Sequence, residues 1–418
     1  MTRSLDVYFA NENAGQLQQN EDGSLEFTYW PNYLSIDRAV AISVSMPLQE
    51  APFTDRIARP YFSGLLPDEG ARRQLTRAIG ISSDNDFGLL EVIGGECAGA
   101  LSLVPAGKPL SEPLARAPEP LSDKQLADIL GLLRTRPLLG GMLDVRLSLA
   151  GAQNKLAVCQ VDGRIALATG GQPTSHILKP AIDGLEGTVE NEVFCMRLAT
   201  KVGLNAPNVY KEHAGDLPYY LIERYDRVTD ASGSIKRLHQ EDFCQALSIA
   251  PTLKYEAEGG PGTLQSQQLI RSVTRTPAAD EFHFLRMLMF HVLIGNADAH
   301  AKNYALLYRD KAPELSPVYD AICTAVYPSM SKRLAMEIGG RSLADTLQLK
   351  HWLTLVPDTQ PAQRILKQEL QTMSDTIVDH ASDLATELRD EGIEHPIIGK
   401  IQRVIQKRAK QIASILRT

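Results

Sequence analysis

The sequence predicts an α+β fold in which a strand-rich part precedes a largely helical one, with an extra small α+β subdomain in front of both. Three observations carry this. Residues 123–237 alternate short β-branched runs with turns, residues 238–418 read mainly as helices, and a proline-rich crossing at 105–122 sets residues 1–104 apart. At 418 residues the chain can hold two or three subdomains. A β-rich lobe and a helical lobe, each with polar loops, imply a cleft between them.

Taken in order, "LDVYFA" is a strand, and Asp22-Gly23 makes a hairpin-type turn before "SLEFTYW". "RPYFSGLLPDEGARRQLTRAIG" reads as a loop entering a helix, and "GGECAGALSLV" as a closing strand. Five prolines between Pro105 and Pro120 can neither feed a ladder nor hold a helix, so that stretch is a linker. "DKQLADILGLLRTRP" follows with helical apolar spacing at Leu126, Ile129, Leu130 and Leu133. "LAVCQVDGRIALA" is a hairpin turned at Asp162-Gly163, and "SHILKP" a strand ended by Pro180. "TVENEVFCMRLATKVG" is an amphipathic helix stopped at Gly203, and "PYYLIERYDRV" another strand. "QEDFCQALSIA" and "DEFHFLRMLMFHVLIG" read as helices, with "EAEGGPG" between them a mobile loop by its glycines.

Composition excludes several classes. A net charge of -7 gives no bulk attraction to DNA or anionic membranes, so such contact needs a local patch. Cys97, Cys159, Cys195, Cys244 and Cys323 are scattered without a CxxC pair, which suits free thiols in a reducing cytosol. The N-terminus has no secretory pattern, and no apolar run approaches the ~20 residues of a membrane span. The expectation is a soluble, cytoplasmic chain.

The densest chemistry lies in "GNADAHAKNYALLY", Gly295 to Tyr308. An aspartate with an asparagine five residues on is what phosphoryl transfer asks of a catalytic loop. Asp298 would accept the proton of the attacking hydroxyl, and the Asn303 amide oxygen would hold magnesium. The same two residues also suit an ordinary turn. Asp320 comes twenty-two residues after Asp298, beyond a strand, the turn "RDKAPEL" and a second strand. That hairpin brings it back as a second magnesium ligand, unless it is a capping aspartate. Lys179 ends an apolar strand, where an ammonium needs a partner, and either Glu190 or Glu192 on the next helix could reach it; Glu192 is preferred. In "RLSLAGAQNKLAV" the small residues Ala150, Gly151 and Ala152, with Gln153, would let backbone N–H groups approach phosphate. No Walker motif is present, and only one glycine stands where a kinase loop has three.

Together these segments resemble the HipA family, the kinase toxins of bacterial type II toxin–antitoxin modules. "SLAGAQNKLAV" is similar to its phosphate loop, "SHILKP" to its lysine strand and "GNADAHAKNYALLY" to its catalytic loop. "LSPVYDAICT" resembles its metal-binding turn, "YYLIERYDR" its hinge, and "YFSGLLPDEGAR" part of its extra N-terminal subdomain. The resemblance implies a protein-kinase-like two-lobed fold and ATP-dependent serine/threonine phosphorylation. It makes Asp298 the base, and Asn303 and Asp320 the magnesium ligands. Around ATP it sets Lys179, the loop Ala150, Gly151, Ala152, Gln153, Asn154 and Lys155, and the hinge Glu223, Arg224 and Tyr225. His300, Ala301, Lys302 and Tyr319 complete the nucleotide set. Ser148 becomes the autophosphorylation site, where almost two added negative charges at the mouth of the site would repel nucleotide.

Departures from ordinary protein kinases are clear. No arginine precedes Asp298, Ala-Ile follows Asp320 in place of Phe-Gly, and no A-P-E motif follows. Implied partners are a HipB-like DNA-binding antitoxin, operator DNA mainly through that antitoxin, and a protein substrate such as an aminoacyl-tRNA synthetase. The C-terminal helix has an apolar face at Ile401, Val404 or Ile405, Ile412 and Ile415. Its basic Lys400, Arg403, Lys407, Arg408 and Lys410 suit a solvated face first and a DNA contact second. A small-molecule phosphotransferase and a pseudokinase co-repressor are the alternatives.

Overall fold

A computed structural model describes residues 2–110, 118–133, 137–139, 149–168, 171–231 and 234–417. Strands β1 (Arg3–Phe9), β2 (Glu12–Gln19) and β3 (Leu25–Tyr29) form a meander. Helices α1 (Pro31–Leu34), α2 (Asp55–Gly64), α3 (Glu69–Ile79) and α4 (Asp86–Ile93) follow, and β4 (Leu101–Pro105) returns beside β1 to give the order β3-β2-β1-β4. Alternation turns Leu5, Val7, Leu17 and Phe27 inward, and Phe27 packs edge-on against Tyr29 with ring centroids 4.8 Å apart.

Here the expected single helix is two. Residues read as a loop form α2, with Pro60 inside it. Proline removes one helical hydrogen bond, but burying Ala58, Tyr61 and Phe62 outweighs that loss.

Helix α5 (Asp123–Leu133) buries Leu126, Ile129, Leu130 and Leu133, the four residues its spacing indicated. Next come β5 (Leu156–Val161), β6 (Arg164–Ala166), β7 (His176–Pro180), α6 (Thr188–Lys201), β8 (Val209–Ala214) and β9 (Leu217–Glu223). These strands make one sheet in the order β6-β5-β7-β9-β8. The β5–β6 turn has positive φ at both Asp162 and Gly163, 50° and 75°, the backbone twist that a two-residue hairpin needs. Helix α6 is a correction: Val189–Met196, Leu198 and Ala199 are all buried, so it is covered nearly all round instead of amphipathic.

The expected strand 218–228 is interrupted at Arg224–Asp226, giving β9 and then β10 (Arg227–Thr229), which pairs with β11 (Ile235–Arg237). "QEDFCQALSIA" is a second correction. Its first part is β12 (His239–Asp242), and only Phe243–Ala246 is helical, as α7. The Asp242 carboxylate accepts from Gln245 N and Gln245 Oε1 accepts from Asp242 N, both at 2.9 Å, which starts α7 abruptly. Helices α8 (Thr263–Val273) and α9 (Pro277–Ile294) follow, then β13 (Ala305–Tyr308), which pairs antiparallel with β12, and β14 (Glu314–Leu315). The chain ends with β15 (Arg333–Ile338), β16 (Arg341–Leu343), α10 (Leu349–Leu353), α11 (Gln360–Asp390) and α12 (Pro396–Arg417).

Two compact units result. The first is Met1–Pro180, His213–Leu253 and Ala305–Glu314; the second is Ala181–Glu212, Lys254–Tyr304 and Leu315–Thr418. In the second, α11 buries Leu366, Leu370, Met373, Ile377, Ala381, Leu384 and Leu388, a 3–4 spacing that faces the buried Ile401, Ile405, Ala409 and Ile412 of α12. Val404 and Ile415 are half-buried. Lys400, Arg403, Lys407 and Lys410 are exposed, while Arg408 binds Asp345 at 2.5 Å. The glycine-rich 256–262 loop is fastened, because Glu256 Oε2 accepts from Glu337 N at 2.5 Å. All five cysteines are buried free thiols. Among the described residues no helix is long and apolar enough to cross a membrane.

Candidate active site

In the second unit the buried helix α9 ends at Gly295, whose φ is 72°. A Cβ there would lie 2.7 Å from Val404 Cγ1 and 2.9 Å from Ala325 Cβ, so both backbone and space demand glycine. Asn296 then organises the loop. Its Oδ1 accepts from Asp298 N at 2.9 Å, and its Nδ2 donates to His291 Nδ1 at 3.1 Å. Burial pushes His291 down to about 4, which leaves the imidazole neutral and able to accept. Thr324 Oγ1 accepts from Ala297 N at 2.8 Å, and Ala335 N donates to Ala297 O at 3.0 Å.

These contacts present Asp298 half-buried, with Oδ1 accepting from the Tyr255 hydroxyl at 2.7 Å. A 3₁₀ turn, Ala301–Asn303, follows. Asn303 Nδ2 donates to the Asp298 carbonyl at 3.1 Å, which leaves Oδ1 as the amide atom able to meet a cation. His300 is buried, its ring edge-on to Tyr255 at 5.2 Å and 82°.

Asp320 has a φ of 58°, left-handed for a non-glycine residue, which is tolerated where surrounding contacts over-determine the turn. Two contacts do so. The hydroxyl of Tyr319, just before Asp320, donates to the carbonyl of Lys302, just before Asn303, at 2.7 Å. Three residues on, Cys323 N donates to Asn191 Oδ1 at 2.8 Å and Cys323 O accepts from Asn191 Nδ2 at 3.0 Å. Asn191 is wholly buried in α6. The described residues contain no cluster of three or more His, Cys, Asp or Glu side chains suited to a metal. One carboxylate and one amide oxygen fit magnesium shared with phosphate, which keeps few protein ligands.

The first unit holds the other expected residues. Lys179 lies buried in β7, its Nζ 5.3 Å from the centre of the Tyr220 ring on neighbouring β9. Gly151 has a φ of 110°, and its carbonyl accepts from Asp68 N at 3.1 Å. Gln153 Nε2 donates to Pro180 O at 3.2 Å, which joins the loop to the residue after Lys179. Lys155 is buried and donates to Ala150 O at 2.8 Å, so its ammonium closes the loop upon itself. Asn154 Nδ2 donates to Gln74 Oε1 at 3.3 Å. Ser148 lies outside the described residues.

At the expected hinge, Arg224 forks onto Asp226 with bonds of 2.9 and 2.8 Å and donates to Thr174 Oγ1 at 2.9 Å. Arg227 reaches both Asp226, at 3.0 Å, and Glu96, at 2.5 Å. Burial alone would raise the Asp226 pKa, yet Arg224 and Arg227 hold the carboxyl well below the usual range. The Arg224 guanidinium is therefore directed into this network. The Tyr225 hydroxyl donates to Gln240 Oε1. Of the two glutamates on α6, Glu190 pairs with Lys211 at 2.7 Å, whereas Glu192 is buried beyond it in the same helix. Lys179 and Glu192 belong to different units.

Sequence reasoning missed Tyr255, Asn191, Asn296 and Thr324. Asn296, two residues before Asp298, carries an Asx-turn signal that could have been used. Tyr255 and Asn191 carry none, since their partners are 43 and 132 residues away.

Comparisons with known proteins bear on the family and the fold. Residues 5–104 match the family model of the HipA N-terminal domain, and residues 147–382 that of the HipA-like C-terminal domain. "Putative kinase Y4mE" of Sinorhizobium fredii is 38% identical over 98% of each chain. The serine/threonine-protein kinase toxin HipA of Shewanella oneidensis is 30% identical over 71% of this chain and 70% of that one. A chain in the solved complex of Shewanella oneidensis HipA, HipB and operator DNA superposes with a TM-score of 0.85 at 24% identity, covering 99% of this chain and 98% of that one. The fold is thus the mixed helix-and-sheet, kinase-like one. With one model over its first hundred residues and another over more than half its length, the chain belongs to the HipA family.

Proposed function

We propose that the protein is an ATP-dependent serine/threonine protein kinase and the toxin of a two-component toxin–antitoxin module. One observation carries the reading: Asn303 is bonded to the Asp298 carbonyl while Tyr319 bonds Lys302, so the base loop and the Asp320 turn are held as one piece. Bound Mg²⁺ and ATP would supply a phosphoryl group that passes to a serine or threonine oxygen as ADP leaves. Asp298 takes the hydroxyl proton, and the Tyr255 hydroxyl bonded to its Oδ1 holds the carboxylate in place. Asn303 Oδ1 and Asp320 hold the metal. Lys179, balanced by Glu192, and the backbone of Ala150–Lys155 hold the phosphates, with His300, Ala301, Lys302 and Tyr319 beside them. Main-chain atoms of Glu223–Tyr225 serve the adenine, because the Arg224 side chain is engaged by Asp226.

Ser148, just before the phosphate loop, is the self-inhibiting phosphorylation site in this reading. The likeness to the HipA of a HipA, HipB and operator DNA complex supports a HipB-like antitoxin as partner, with operator DNA bound mainly through it; a cytoplasmic location and a translation component such as an aminoacyl-tRNA synthetase as substrate complete the reading. Asp298→Asn tests the core of the proposal. Wild type incubated with Mg·ATP should gain one phosphate, at Ser148, by intact mass and peptide mapping; the variant should gain none yet still bind nucleotide. Equal phosphorylation of both proteins removes Asp298 as base. No transfer by either favours a co-repressor that has lost activity. Phosphoproteomics of cells expressing the two proteins would identify the target.

A further inference from the structure

Within the second unit a cavity of about 310 Å³ opens beside Asp298. Of the residues expected around nucleotide and metal, and among the described residues, Asp298 alone lines it; Asn303, Asp320, His300, Lys302 and Tyr319 do not. The proposed base therefore borders a space that the expected metal ligands do not line. An attacking hydroxyl must reach the base from a side that the nucleotide leaves open, because transfer runs in line. We propose that the cavity is the docking site for an extended segment of the protein substrate, and that Arg333 and Glu258 on its rim select the charges flanking the acceptor.

The walls fit such a segment. Ala257, Ala297 and Ala335 leave room, and Met330 and Leu334 offer apolar contact. The volume is at the small end of ligand sites, roughly 300–1,000 Å³, so it suits a few side chains. Arg333 and Glu258 are exposed, and among the described residues neither makes an ion pair. Their spacing is not left to chance. The 2.5 Å bond from Glu337 N to Glu256 Oε2 ties the segment bearing Glu258 to β15, which begins at Arg333. Lys332 adds a second exposed positive charge beside Arg333. Two exposed charges of opposite sign in the same lining as the proposed proton acceptor fit a peptide that carries an acidic and a basic residue beside its Ser or Thr.

This rests on the kinase reading for its chemistry but is tested independently by binding. Fluorescently labelled serine peptides, one flanked by acidic residues, one by alanines and one by basic residues, are titrated into the full chain by anisotropy. The same peptides are then phosphorylated with Mg·ATP. Wild type should bind the acidic peptide roughly fivefold to tenfold tighter than the alanine peptide, with the gain fading in high salt. Arg333→Glu should lose that preference, with Arg333→Gln between the two, and Glu258→Lys, which replaces a negative charge by a positive one, should strengthen it. Both sites are exposed, and thermal melts confirm that the variants fold. Charge-blind binding by wild type, or preferences unchanged in the variants, overturns the docking site. Phosphate transfer without flank preference overturns it and spares the kinase reading. Charge-dependent binding that Arg333→Glu abolishes, without phosphate transfer, supports the site and overturns the kinase reading instead.

Discussion

Tyr255→Phe removes one atom from the candidate site and leaves the ring in place against His300. The lost contact is the 2.7 Å hydrogen bond from the phenol to Asp298 Oδ1. A hydrogen bond to a charged group contributes about 1.5–3 kcal/mol, and the half-exposed position favours the lower end. At about 1.4 kcal/mol per factor of ten, kcat should fall roughly tenfold once the carboxylate is free to turn away from the acceptor. The nucleotide KM should stay within about twofold, because the bond removed is the one to the base. Steady-state kinetics at saturating Mg·ATP read the effect. Unchanged kcat in the variant, or a nucleotide KM that rises as much as kcat falls, would refute the positioning role.

Three further outcomes are expected. Asp320→Ala and Asp320→Gly should both lose phosphate transfer, but the glycine variant should be more stable than the alanine one by about 1 kcal/mol, because only glycine accepts the left-handed backbone freely; equal melting temperatures would remove the strain argument. Gly151→Ala should weaken nucleotide binding measured by calorimetry, since φ is 110° and the new Cβ would lie 2.6 Å from Lys155 Nζ; unchanged affinity separates this loop from the nucleotide. Burial pushes His239 and His291 down to about 4 and Glu241 up to about 7. From about pH 4.5 to 6.5, the unfolded chain protonates both imidazoles and ionises Glu241, while the folded chain keeps both imidazoles neutral and Glu241 protonated. The histidines thus make stability rise with pH and Glu241 makes it fall. Glu241→Gln should steepen the rise by about 1.4 kcal/mol per pH unit, read by urea unfolding at about pH 5 and 6.5. Parallel slopes for the two proteins would sink that assignment.

Much of the fold was legible because its signals are local. Asp162-Gly163 between two strand-like runs favours the positive φ of a two-residue hairpin turn, and the spacing of Leu126, Ile129, Leu130 and Leu133 marks one helical face. The helix before Asp298, its glycine stop and the strand "ALLY" follow equally from neighbouring residues. Asp298, Asn303 and Asp320 are candidates by type and spacing, which also suit ordinary turns, so their roles come from the family resemblance.

Other features had no local signal. Pro60 marks a break, yet α2 runs through it because its aromatic residues are buried against strands far away in sequence. "HQED" favours no strand until β13 lies beside it, pairing His239 with Tyr308 and Asp242 with Ala305. Arg224 reads as a hinge residue, but its guanidinium goes to Asp226 and Glu96, since a buried charge must find its counter-charge wherever the fold brings one. Spacing along the chain thus determined the short-range elements and the identity of the candidate chemical groups. Tyr255 on Asp298, Asn191 on Cys323 and the cavity at Arg333 were decided only by folding, because packing and the pairing of buried polar atoms depend on residues that meet in space and not in sequence.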